Sequence, residues 1–121
     1  MAKPVKKLVP LPEPWSPGDA TERIRHISWE DCFTPSFKRH ALEQMEERNL
    51  TTSDVLYVLR NGFVYKEAIP ATQTALYRYA INSPTPNSSS REVRVILIPS
   101  LQAPAAKIIS VMWADEPMVG G

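Results

Sequence analysis

Hydrophobic positions along this chain change period twice. Up to about residue 30 they are scattered among prolines. Pro4, Pro10, Pro12, Pro14 and Pro17 hold the backbone extended and argue against a continuous helix or a central strand there. Val9, Leu11, Trp15, Ile27 and Trp29 give this segment apolar handles for docking on a domain surface. A helical period follows. Thr34-Pro35 reads as a helix start, a capping hydroxyl and then proline in the first turn. At the helical angle of about 100° per residue, Phe37, Ala41, Leu42 and Met45 form one apolar arc. Arg48 projects into that arc, His40 and Gln44 flank it, and Lys38, Arg39, Glu43 and Glu46 make the solvated side. Asn49-Leu50 turns the chain. Thr52 or Ser53 then caps a second helix through Val55, Leu56, Val58 and Leu59, and Asn61-Gly62 stops it as a left-handed cap.

After Gly62 the period shortens to two. "FVYKEAI", "TALYRYAI", "REVRVILI" and "AKIISVMWAD" are β-branched and aromatic runs of strand length, and their short polar connections predict antiparallel neighbours. The expectation is therefore an α+β fold with two N-terminal helices packed on a four-stranded antiparallel sheet over residues 34–116. A proline-rich extended segment over residues 1–33 precedes it, and residues 117–121 form a tail.

Totals narrow the function classes. A chain of 121 residues supports one modest core. A net charge of +1 steers it toward no polyanion, so any such contact needs a local patch. The single Cys32 cannot form an internal disulfide and reads as a packed or incidental thiol before a reactive one. No signal-peptide pattern and no membrane-length apolar run appears, so a cytoplasmic location is expected. Metal-ligand spacings, nucleotide-binding loops and a serine elbow are missing as motifs, so no cofactor or metal is expected.

Two constellations carry chemistry. His40, Gln44 and Arg48 fall one turn apart. An arginine on a buried arc needs water, an acid or an anion for its guanidinium. The structural reading pairs Arg48 with a carboxylate such as Asp54. The catalytic one makes His40 a general acid or base and Arg48 an anion holder. On the strands, Lys66, Arg78, Arg91, Arg94 and Lys107 outnumber Glu67 and Glu92, and Tyr77 and Tyr79 share one face. Cations for phosphates and rings for bases suit single-stranded RNA, whereas core packing and strand solubility explain the same residues without RNA.

The stretch "FKRHALEQMEERNLTTSDVLYVLRNG", followed by "REVRVILI" and "KIISVMWAD", resembles the domain of unknown function 4258 family, with its His-Ala-x-x-Arg-Met-x-x-Arg motif. His40, Ala41, Met45, Arg48, the Asp54-Val55 helix start and Gly62 match; Gln44 stands where that family has arginine. The layout is similar to that of small toxin ribonucleases of the RelE and BrnT kind. That likeness implies metal-independent RNA cleavage with His40 as acid or base and Arg48, Arg78 and Arg94 as anion holders. Lys66, Tyr77, Tyr79, Arg91 and Lys107 would bind RNA, free or on the ribosome. An antitoxin-like protein would be the partner, with a homodimer as a further option and no membrane. The competing expectation is a non-catalytic interaction or regulatory domain on the same fold, using the proline-rich segment and a sheet edge as contact surfaces.

Overall fold

The computed structural model describes residues 11–73, 76–100 and 103–117. Pro4, Val9 and Pro10 of the N-terminal segment, the first two residues of the "TALYRYAI" run and the tail beyond Pro117 lie outside them. Among the described residues the chain runs α1 (Pro17–Ser28), β1 (Thr34–Phe37), α2 (Arg39–Arg48), α3 (Thr52–Asn61) and β2 (Phe63–Val64). It continues through β3 (Ile69–Pro70), β4 (Tyr77–Pro84), β5 (Glu92–Pro99) and β6 (Ala105–Trp113). The order across the sheet is β1-β6-β5-β4-β2, with β3 also pairing β4. The fold is α+β with helices on a sheet. Two helices on a four-stranded antiparallel sheet was nevertheless the wrong count: the described residues form three helices and a mixed, six-stranded sheet.

Each departure has a local cause. The expected extended approach segment contains α1. Ser16 caps it by accepting the Asp19 N–H, Pro17 fits the first turn where its missing N–H is harmless, and Ala20, Ile24 and Ser28 make a buried stripe at helical spacing. Thr34-Pro35, expected as a helix start, opens β1 instead. This strand runs parallel to β6, pairing Thr34 with Ala105 through Phe37 with Ile108, and proline is tolerated because β1 lies at the sheet edge. α2 therefore starts only at Arg39, with no side-chain cap from Lys38. Thr51, rather than Thr52 or Ser53, caps α3 in a reciprocal capping box with Asp54. "FVYKEAI" breaks into β2 and β3, two short pieces laid along successive parts of β4.

Asn61-Gly62 does end α3, but Gly62 is extended (φ −83°, ψ −178°) rather than left-handed. Its glycine is required for a different reason. A Cβ there would stand 2.6 Å from the Val58 carbonyl oxygen and 2.7 Å from that of Asn82.

Register assigns the strand residues to two faces. Tyr79, Ile81, Val93, Val95, Leu97, Ala106, Ile108 and Val111 share one core with Ile24 of α1, Ala41 and Met45 of α2, and Val55, Val58 and Leu59 of α3. Between β5 and β6 the pairing shifts at Ile96/Leu97, so that Leu97 meets Ile108 and Ile96 meets Ser110. This bulge lets Ile108 and Val111 both face the core although they are an odd number of residues apart.

Candidate interaction surfaces

The polar stripe of α2 serves the edge of β6. β1 pairs β6 only from Ala105 to Ile108, and the Lys38 N–H adds a bond to the Ile108 carbonyl. Beyond that point the outer edge of β6 would be left unpaired. Buried Gln44 supplies Oε1 to the Val111 N–H at 2.9 Å, and Glu116 supplies Oε1 to the Trp113 N–H at 2.8 Å. Arg48 holds Glu116 through a two-pronged bridge, Nε to Oε1 and Nη2 to Oε2, both 2.8 Å. The carboxylate partner of Arg48 is thus Glu116 and not Asp54. That residue is instead buried, accepting from the Thr51 N–H, the Thr85 hydroxyl and the Asn87 amide. These donors outweigh burial and lower its pKa, although burial is the largest single influence and acts the other way.

Three of the nominated arginines meet at the turn after β6. Arg48 takes Glu116. Arg91 takes Asp115, Nε to Oδ2 at 3.1 Å and Nη2 to Oδ1 at 2.9 Å. Arg94 donates to the Ala114 carbonyl at 3.0 Å. Hydrogen bonding from Arg48 holds the Glu116 carboxyl at about 2, and Arg91 likewise lowers Asp115. The Arg91 guanidinium also lies over the Trp113 ring, 4.3 Å from its centroid. Beside the turn is a cavity of about 390 Å³ lined by Arg48, Asn49, Asn87, Ser89, Arg91 and Trp113, among others.

The other sheet face carries no residue of the helix-packed core. Register puts Arg78, Ala80 and Asn82 of β4 there, with Arg94, Ile96 and Ile98 of β5, Lys107, Ser110 and Met112 of β6, and Thr34 and Ser36 of β1. Ile96 and Met112, both buried, and the half-buried Ala80 and Ile98 form its aliphatic centre, and the half-buried Arg78, Arg94 and Lys107 its cations. Glu92 at one end is the one carboxylate among the described strand residues of this face. A groove of about 440 Å³ lies at the end of it where β5 finishes and β1 and β6 begin, lined by Thr34, Ser36, Leu76, Ile98, Ala105 and Lys107 among others.

The remaining nominated residues are dispersed. Tyr77 and Tyr79 lie on the covered face. Tyr79 is 1% exposed, stacked on Trp15 with ring centroids 5.3 Å apart. Its hydroxyl donates to Glu13 Oε2 at 2.7 Å and accepts the Trp15 N–H at 3.0 Å, so neither ring face nor hydroxyl is open to a base. Burial is the chief reason that the Tyr79 phenol and the Glu13 carboxyl are both raised. Lys66 is exposed between β2 and β3. His40 is exposed two turns before Arg48, about 12 Å along the helix axis. With Gln44 aimed at β6 and Ala41 and Met45 in the core, helix rotation turns His40 toward the margin of the uncovered face, and it lines neither cavity. Cys32 is exposed, and no group of three His, Cys, Asp or Glu able to hold a metal occurs among the described residues. No described helix is long and apolar enough to cross a membrane.

Asp115, Glu116 and Trp113 were missing from the sequence-based site. The acids fell at the very end of the expected domain, and nothing local ties them to Arg48, 68 positions before Glu116. Their place just after a strand whose neighbour carries Arg94 and is preceded by Arg91 was the available signal.

The model of the family described as Domain of unknown function (DUF4258) matches residues 37–114. No curated protein and no solved structure matches the chain.

Proposed function

We propose that this chain, which belongs to the DUF4258 family, acts by binding another protein on its uncovered sheet face rather than by cleaving RNA. The partner element is an acidic amphipathic helix, its aliphatic stripe laid on the half-buried Ala80 and Ile98 and its carboxylates beside Arg94 and Lys107. The observation carrying this reading is the face itself: an aliphatic centre bounded by cations, with one carboxylate at one end and a groove at the other. An apolar sheet face of this kind is the usual ground for a second layer.

The competing reading, a metal-independent toxin ribonuclease of the RelE or BrnT kind, needs cations, stacking rings and an acid–base group around one phosphodiester. Here Tyr79 is enclosed, Arg48 is bridged to Glu116, and His40 lies outside both cavities. Geometry favours binding.

The test is selection of displayed helical peptides on the purified chain, with an RNA-cleavage assay alongside. Enriched sequences should carry aliphatic residues at i, i+3, i+4 and i+7 flanked by Asp and Glu. Their binding should weaken by about tenfold in Ile98→Asp and in Lys107→Glu. Binders indifferent to both substitutions would overturn the proposal. So would RNA cleavage that His40→Ala abolishes.

A further inference from the structure

The cavity at the opposite margin of α2 raises a separate question, independent of the sheet-face reading. Arg48 and Arg91 present two guanidinium forks to one short turn, and both forks are filled by carboxylates from successive residues. A bridge between partly exposed side chains contributes little to folding, so two such bridges do not by themselves explain a cavity kept beside them. That cavity is lined by the two arginines, Asn49, Ser89 and the Trp113 ring, and by Asn87 and Ser88, whose own donors are spent on Asn49, Asp54 and Thr85.

Its rim is also where the backbone is least relaxed. Asn49, Ser89 and Ser90 hold φ values of 54°, 52° and 71°, and they are the described non-glycine residues with positive φ. Asparagine adopts this region at small cost, serine less readily. Asp54 ties the two sides together, capping α3 next to Asn49 and accepting from Thr85 and Asn87 of the β4–β5 connection. The concave wall is therefore fixed independently of the acidic turn.

The family match adds a third observation. It spans residues 37–114, so both arginines and Trp113 fall inside it, whereas Asp115 and Glu116 lie just past its end.

We infer that the Arg48 and Arg91 forks, together with the cavity beside them, form a binding site for an acidic peptide with adjacent carboxylates, the forks themselves being filled in cis by Asp115 and Glu116. A partner's acidic pair takes the same forks by exchange with the turn, and no covalent step is involved. Self-occupancy lowers apparent affinity by the fraction of molecules in which the forks are free. Weakening the cis contacts must then tighten binding in trans.

The probe is a labelled heptapeptide with the chain's own Val111–Pro117 sequence, titrated into the full chain by fluorescence anisotropy. Asp115→Asn combined with Glu116→Gln, which keeps an oxygen for the Trp113 N–H, should bind it about tenfold more tightly than the unchanged chain. Adding Arg48→Ala and Arg91→Ala to that background should abolish the gain. Equal affinity with and without the Asp115/Glu116 substitutions would overturn the inference, as would binding that survives loss of both arginines. Inorganic phosphate competing as well as unlabelled peptide, at matched ionic strength, would also overturn it by reducing the site to a general anion sink. If the double substitution unfolds the chain, Asp115→Asn alone decides: it touches only the exposed Arg91 fork, and unchanged affinity there counts against the proposal.

Discussion

The covered and uncovered faces of the sheet are made by alternate residues of the same strands, yet they differ in kind. Leu97 faces the helices and is 1% exposed, packed in a core shared with three helices, whereas its neighbour Ile98 is only half-buried and lines a groove. Charges divide the same way. Arg78, Arg94 and Lys107 sit on the bare face, while the covered face admits polar groups only where they are bonded, as with Tyr79 to Glu13 and Trp15. One face is packed by three helices and the other carries none of the core they share. Hydrophobic runs that look alike in sequence therefore have different duties on their two sides.

The comparison can be broken in several ways. The largest expected effect is at Gly62, where a Cβ would meet backbone oxygens of both α3 and β4. Gly62→Ala should cost about 4 kcal/mol in urea unfolding, since neither backbone can yield without disturbing the covered face. Next comes the adjacent pair. Leu97→Ala should cost about 3 kcal/mol through a core cavity, and Ile98→Ser about 1 kcal/mol. Equal costs would mean that both faces are packed alike.

Gln44→Leu is nearly isosteric and should cost about 2 kcal/mol, because it leaves the Val111 N–H without its partner at the β6 edge. A neutral result would show that the seam between α2 and β6 rests on apolar contact alone. The smallest effect is a pH dependence. Glu116 is held at about 2 in the fold, below its ordinary 4.5, so the unfolded chain takes up its proton first on acidification. Its contribution is complete above the ordinary value and disappears as pH falls toward the folded one. Glu116→Gln should therefore lower the melting temperature at neutral pH and flatten its decline into acid. Glu13 has the opposite sign: burial raises it, so its ionisation opposes folding as pH rises, and Glu13→Gln should help most at neutral pH.

Several features were readable from the sequence because their causes are local. The helix that stops at Asn61-Gly62, the long strands β4 to β6, and the burial of Ala41 and Met45 follow from periodicity and side-chain type, whereas the expected apolar arc fails at Phe37, which stands in β1, and at Leu42, which is exposed. α1 was hidden by the prolines before it, although Ser16-Pro17 followed by Ala20 and Ile24 at helical spacing is a sufficient local signal. β1 was not readable. Thr34-Pro35 is as good a helix start as a strand start, and only the free edge of β6, more than 70 residues later, makes it a strand.

The chain by itself determined which residues prefer water, where helices can begin, and which runs suit a sheet, because those preferences depend on each residue and its near neighbours. Tertiary structure decided what Arg48 and Gln44 are for, which sheet face stays bare, and that Asp115 and Glu116 fill the arginine forks. Those outcomes depend on which distant backbone groups and charges are brought within hydrogen-bonding range, and no local period encodes them.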